Sequence, residues 1–160
     1  MQFTHLVEIC DAAIPAHALL TRAQLWRGLV LRVEAPGLFM PHLDDCQISA
    51  REASRFARRL VFGELVIDDL VTLAAPDRIV VSVPAQRDIA ASLLTMTIEA
   101  PQEHALFVRF AYEDGVEVAA DSVDAYYDKF RHSAYREADI DTIRLIRQMA
   151  QEGRLDNTLS

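Results

Sequence analysis

Between Cys46 and Glu113 the chain keeps a period of two, alternating apolar and polar residues through six strand candidates separated by short polar or Pro-containing turns. The expected strands run approximately from Gln47 to Arg51, Arg55 to Phe62, Leu65 to Leu73, Ile79 to Val83, Ser92 to Glu99 and Ala105 to Tyr112. The short connections leave no room for crossover helices, so these segments form a continuous antiparallel meander. Nothing else in the chain restricts the fold as much. A sheet of that size has an apolar face to bury, and the cover must come from outside the meander.

Two flanking regions can supply it. Phe3 to Cys10 alternates as a further strand, Ala12 to Leu20 contains Pro15 and reads as a linking loop, and Thr21-Arg22-Ala23-Gln24 has the form of a capping box that opens a helix. That helix carries Leu25, Leu29 and Val33 in one row, flanked by Trp26 and Val30. It stops at Ala35-Pro36-Gly37, because a residue before proline is pushed out of the helical region, and a short second helix is expected from Pro36 to about Pro41. After Gly115 a polar approach leads to a helix from Ser122 to Glu152, ended by Gly153, the one element long enough to lie across the sheet. On a helical wheel Val123, Tyr127, Phe130, Ala134, Ala138 and Leu145 form the expected inward stripe, drifting to Ile146 and Met149. The expected fold class is α+β: a seven-stranded antiparallel sheet around a long C-terminal helix, with two short helices between the first and second strands. Residues 1–155 are expected to form a single domain and residues 156–160 a frayed tail.

Composition removes several classes of function. A chain of 160 residues buries roughly 70% of its unfolded surface and needs neither metal nor disulfide to fold. With 24 acidic against 16 basic residues and a net charge of -8, it lacks the surface of a nucleic-acid binder or of a ligand for acidic membranes. Cys10 and Cys46 form no CxxC unit, the N-terminus lacks the basic start of a signal peptide, and uncharged stretches are too short to span a bilayer. A cytoplasmic location without membrane insertion is the expectation. His5, His17, His42, His104 and His132 show no HxxxH or HExxH spacing, and no GxSxG, GxGxxG or Walker loop is present. No metal site and no cofactor are expected, and hydrolysis, phosphoryl transfer and dinucleotide-dependent redox chemistry find no support.

Two motifs carry a family resemblance. Leu25-Trp26-Arg27-Gly28-Leu29-Val30-Leu31-Arg32 stands on the first helix and Ser133-Ala134-Tyr135-Arg136-Glu137-Ala138-Asp139-Ile140-Asp141-Thr142-Ile143-Arg144 on the last. With the element order, they resemble the START-like (SRPBCC) superfamily of helix-grip folds, which includes lipid-transfer domains and polyketide cyclases, and within it the AtaL-like family. The resemblance covers Phe3 to about Leu155. It implies a cavity between a curved sheet and the C-terminal helix that holds an apolar small molecule, and it brings no activity that transfers residue by residue.

The residues themselves point to one polar spot in such a cavity. Phe62-Gly63-Glu64-Leu65 suits a two-residue type II′ hairpin, which would pair Phe62 with Leu65, Leu60 with Ile67, Arg58 with Asp69 and Phe56 with Val71 on the more apolar face. Arg58 and Asp69 then form a cross-strand ion pair looking inward. A buried pair is costly to desolvate, so it serves either to anchor a ligand or to fix strand register. Arg59 and Asp68 form the matching pair on the solvent side. Thr95 could place a hydroxyl in the cavity or simply reflect strand preference. Asp141 falls on the extension of the helix stripe as an inward acid or a packing anchor, Tyr127 is a gate or plain core, and His132 points to solvent.

The candidate ligand-binding set is therefore Arg58, Asp69, Asp141, Tyr127, Phe56, Leu60 and Thr95. Binding of an apolar or aromatic small molecule is the leading reading. One rival is a cyclase- or dehydratase-like enzyme using a cavity carboxylate, with Asp141 the better proton carrier because Arg58 lowers the pKa of a paired acid. The other is a homodimeric interaction module whose core is filled by its own phenylalanines.

Overall fold

In the computed structural model, which describes residues 1–10, 20–102, 105–115 and 122–156, the alternating segments pair as one antiparallel sheet. The elements in chain order are β1 (Gln2–Cys10), α1 (Arg22–Glu34), a 3-10 turn (Pro36–Leu38), β2 (Asp45–Ser49), β3 (Arg55–Phe62), β4 (Leu65–Ala74), β5 (Arg78–Val83), β6 (Ser92–Glu99), β7 (Leu106–Asp114) and α2 (Val123–Gln151). The sheet order is β1-β7-β6-β5-β4-β3-β2, so the meander is unbroken and the first strand returns to its far edge beside β7. The expected linker up to Leu19, the approach after Gly115, His17, His104 and most of the expected tail lie outside the described residues, while Leu20 joins the core.

Local signals set the boundaries. The Thr21 side chain accepts from the Gln24 N–H and the Gln24 side chain from the Thr21 N–H, the reciprocal capping box that opens α1. Ser122 caps α2 by accepting from the Ala125 N–H. β2 lies two residues earlier than the period suggested, because Ala50 takes a φ of 50° and turns the chain out of the strand. The second helix shrinks to a 3-10 turn.

The inner face of the sheet packs on both helices. Ile9, Phe56, Val71, Ile79, Met96, Val108 and Phe110 meet Leu25, Leu29 and Val33 of α1 and Ile143, Ile146 and Met149 of α2. α1 comes very close to α2 at Gly28, where a Cβ would lie 2.5 Å from Ile146 Cγ2. Only glycine permits that approach.

The face that α2 buries differs from the expected stripe along the first half of the helix. Asp128, Asp139, Thr142, Ile143, Ile146 and Met149 are buried, while Val123, Tyr127 and Phe130 are 70%, 59% and 58% exposed. A wheel scored on hydrophobicity chooses the apolar side; at Asp139, midway along the helix, the sheet and α1 offer His5, Tyr112 and Arg32, which hold its polar side inward, while Asp128 pairs with Arg131 of the same helix. His132, expected in solvent, stacks on the Phe3 ring with centroids 4.3 Å apart. From Ile143 onward the buried face joins the apolar core, and Ile146 and Met149 point inward as expected.

Candidate functional site

A cavity of about 400 Å³ lies between the inner face of the sheet and the two helices. Its apolar wall includes Leu60 and Phe62 of β3, Ile67 of β4, Val81 and Val83 of β5, and Leu94 of β6. Met40, Tyr135 and Ala138 contribute from the helical side. Polar side chains interrupt this lining, among them Arg58 and Asp69 from the β3–β4 hairpin, Arg32 from α1 and Tyr112 from β7.

The hairpin places the first pair. Gly63 supplies the positive φ of 61° that the two-residue turn requires, and every expected pairing from Arg55 opposite Thr72 to Phe62 opposite Leu65 is present. Arg58 and Asp69, 5% and 6% exposed, form a two-pronged ion pair with Nε to Oδ1 at 2.9 Å and Nη2 to Oδ2 at 2.6 Å. Arg58 Nη1 also donates to the Val33 carbonyl at 3.1 Å, so this guanidinium caps the last turn of α1 where carbonyls lack helical partners. Arg59 and Asp68 pair on the opposite, solvent-exposed face.

The second cluster brings together residues that the sequence pattern does not single out as a site. The Gly28 to Ile146 contact sets the helix crossing; one turn along each helix Arg32 stands beside Thr142, with Asp139 a further turn along α2. Asp139 is fully buried. It receives His5 Nε2 at 2.7 Å from β1 and the Tyr112 hydroxyl at 2.8 Å from β7, and stands 3.6 Å from Arg32 Nη2. Burial raises the Asp139 carboxyl above the ordinary carboxylate range, against the opposing effects of Arg32 and of the hydrogen bonds from His5 and Tyr112. Burial, reinforced by the Asp139 charge, likewise raises the Tyr112 phenol, which therefore stays protonated. Tyr135 stacks on the Tyr112 ring at 4.2 Å and holds it against the wall.

The candidate residues separate accordingly. Arg58, Asp69 and Leu60 line the cavity together. Phe56 does not: it is fully buried in the core beneath the Arg51 guanidinium, 4.5 Å from its ring centre. Thr95 is on the opposite face, between Val80 and Ala111, because its neighbours Leu94 and Met96 take the inward positions. Tyr127 packs edge-on to Tyr126 on the exposed side of α2. Asp141 pairs with Arg144 three residues on, its side chain 64% exposed, because the buried face of α2 passes through Asp139 instead. Of the phenylalanines, Phe56 and Phe110 are core, Phe62 lines the cavity and Phe130 is exposed.

The second cluster does have sequence signals. Both Arg32 and Asp139 stand within the two family motifs, and His5 and Tyr112 occupy inward positions of β1 and β7. A charged residue at the core end of a helix motif is the signal that could have found it. Among the described residues no cluster of His, Cys, Asp and Glu could hold a metal ion, and no helix is long and apolar enough to cross a membrane.

Solved structures share this architecture at low identity. The Zhui aromatase/cyclase from Streptomyces sp. R1128 superposes with a TM-score of 0.64 at 12% identity, over 97% of this chain and 95% of that one. The di-domain ARO/CYC StfQ from the steffimycin biosynthetic pathway gives 0.66 at 10% identity; 94% of this chain is covered but only 51% of the didomain. A START superfamily protein from Mycobacterium smegmatis gives 0.60 at 12% identity, over 92% of this chain and 98% of the other. These likenesses establish the START-like helix-grip fold. No curated protein matches the sequence. Residues 7–153 match the family model described as AtaL, acetylaranotin biosynthesis cluster protein L, and the chain belongs to the AtaL family.

Proposed function

We propose that this protein binds an apolar or aromatic small molecule between its curved sheet and its C-terminal helix. The observation that carries the reading is the unfilled cavity of about 400 Å³, walled by Leu60, Phe62, Ile67, Val81, Val83 and Leu94 and interrupted by buried charged groups. This half-open cavity leaves its apolar walls in contact with water, and an apolar guest removes that surface from water. The Arg58–Asp69 pair gives the guest a neutral but strongly polar surface to align against. Native mass spectrometry of the purified protein, followed by identification of whatever is released on denaturation, tests this. A co-purifying apolar molecule in near-stoichiometric amount is the expected result. A clean apo mass, unchanged after incubation with fatty acids and with naphthalene-based aromatics, would overturn it.

One observation favours a proton-transferring variant of the same reading. Asp139 is an acid made weaker by burial, and it is hydrogen-bonded to Tyr112, whose side chain reaches the cavity wall. The fold neighbours include proteins named as aromatase/cyclases. Turnover of a polyketide-like ketone that is lost in Tyr112→Phe while binding persists would establish an enzyme; stoichiometric binding without turnover would leave a carrier. Asp141 has no part in it.

A further inference from the structure

Arg32 is 9% exposed, yet its N–H groups are poorly used. Nε reaches Thr142 Oγ1 only at 3.4 Å, Nη1 reaches the Met96 thioether at 3.4 Å, and Nη2 stops 3.6 Å short of Asp139 Oδ1. A thioether is a weak acceptor, and 3.6 Å is too long for a hydrogen bond. The carboxylate that should satisfy this guanidinium is occupied by closer donors, His5 at 2.7 Å and Tyr112 at 2.8 Å. Burying a charged fork with its donors unmet is costly, and Arg32 lines the cavity.

We infer that Arg32 is the receptor for an acidic oxygen, a carboxylate or an ionised phenol or enol, carried on the apolar body of the ligand. The assignment rests on the cavity being a ligand site. Arg58 is the poorer candidate, since Asp69 and the Val33 carbonyl already engage three of its donors between 2.6 and 3.1 Å. The ligand oxygen would take the N–H groups that Thr142, Met96 and Asp139 hold loosely, as charge-assisted bonds of ordinary length. Charge balance follows from what surrounds Asp139: His5 from β1, Arg32 from α1 and Tyr112 from β7. When a ligand anion competes for Arg32, Asp139 is the group that gives way, and burial already favours its protonated form.

The test compares 2-naphthoate with its neutral isostere 2-naphthamide by isothermal titration calorimetry on the wild type, Arg32→Lys and Asp139→Asn. The wild type is expected to prefer the carboxylate by about tenfold, the scale of one charge-assisted hydrogen-bonded contact. Arg32→Lys keeps the charge opposite Asp139 but loses the planar fork, and should reduce that preference to about threefold or less. Asp139→Asn imitates the protonated carboxyl and leaves Arg32 without a competing anion, so it should bind 2-naphthoate more tightly than the wild type does. The two substitutions thus move the preference in opposite directions, which loss of folding cannot imitate. Equal affinity for the two probes, or an unchanged preference in Asp139→Asn, overturns the assignment to Arg32 while leaving the cavity reading intact. Failure of both probes to bind any variant overturns the cavity reading, and the assignment with it.

Discussion

Arg58 and Arg32 are both buried guanidinium groups on the wall of one cavity, both touch the last turn of α1 or belong to it, and each faces a buried aspartate. They differ in how completely they are satisfied. Arg58 has Asp69 to itself, in a fork of 2.9 and 2.6 Å fixed by the register of one hairpin. Arg32 shares Asp139 with His5 and Tyr112 and keeps only contacts of 3.4 Å and longer. The first arrangement comes from two strands whose spacing is set by backbone hydrogen bonds. The second depends on two helices crossing at Gly28, whose distance answers to side-chain packing. A closed pair holds the fold together; an open one has capacity for a third party.

Breaking the closed pair should have the largest effect. Arg58→Met strands the Asp69 carboxylate in the interior, and ~3–5 kcal/mol of stability should be lost. Arg58→Met/Asp69→Leu, which removes both charges, should recover most of that loss. Arg32→Met is expected to cost less, about 1–3 kcal/mol, because Asp139 retains His5 and Tyr112. Urea unfolding of the three variants measures the difference, and equal losses for Arg58→Met and Arg32→Met would show that the two clusters are energetically alike.

The helix crossing comes next. In Gly28→Ala the new methyl meets Ile146 at 2.5 Å from Cγ2 and 2.8 Å from Cγ1. Alanine is the better helix former by roughly 1 kcal/mol, but overpacking of ~1–3 kcal/mol should win, and Gly28→Ala/Ile146→Ala should lose less than the sum of the single variants. Additive losses would mean that α1 does not close on α2 through this contact.

The same contrast explains what can be read from the chain. Within the hairpin, Phe62-Gly63-Glu64-Leu65 specifies a turn, the turn specifies the register, and the period of two then tells which face Arg58 and Asp69 share. Each step is local. Asp139 meets His5 across 134 positions of sequence and Arg32 across the crossing of two helices, and no local period encodes either meeting. On α2 the local signal points the wrong way, since Val123, Tyr127 and Phe130 make the apolar side of a wheel whose polar side carries Asp128 and Asp139 inward. Hydrophobic pattern locates a core where partners are apolar. It misreads a helix whose buried face is chosen by hydrogen-bonding partners on other elements, which is why the wheel selects Asp141 where the fold uses Asp139.

The smallest effect is a slope rather than a loss. Burial raises the folded-state pKa of Asp139 above its unfolded value near 3.8. The folded protein therefore holds a proton there that the unfolded chain has already released, in the window that opens at the unfolded pKa and closes at the raised one. Stability from this group is fully present below that window and lost as pH rises through it. The carboxamide introduced by Asp139→Asn has no such proton to lose. Urea midpoints of the wild type and Asp139→Asn should accordingly diverge from pH 4 upward, with the variant gaining on the wild type until the carboxyl is fully ionised and the two curves run parallel. A gap that stays constant from pH 4 to pH 7 would mean that Arg32, His5 and Tyr112 fully offset the burial of the carboxylate, and the open cluster would then be as well satisfied as the Arg58–Asp69 pair.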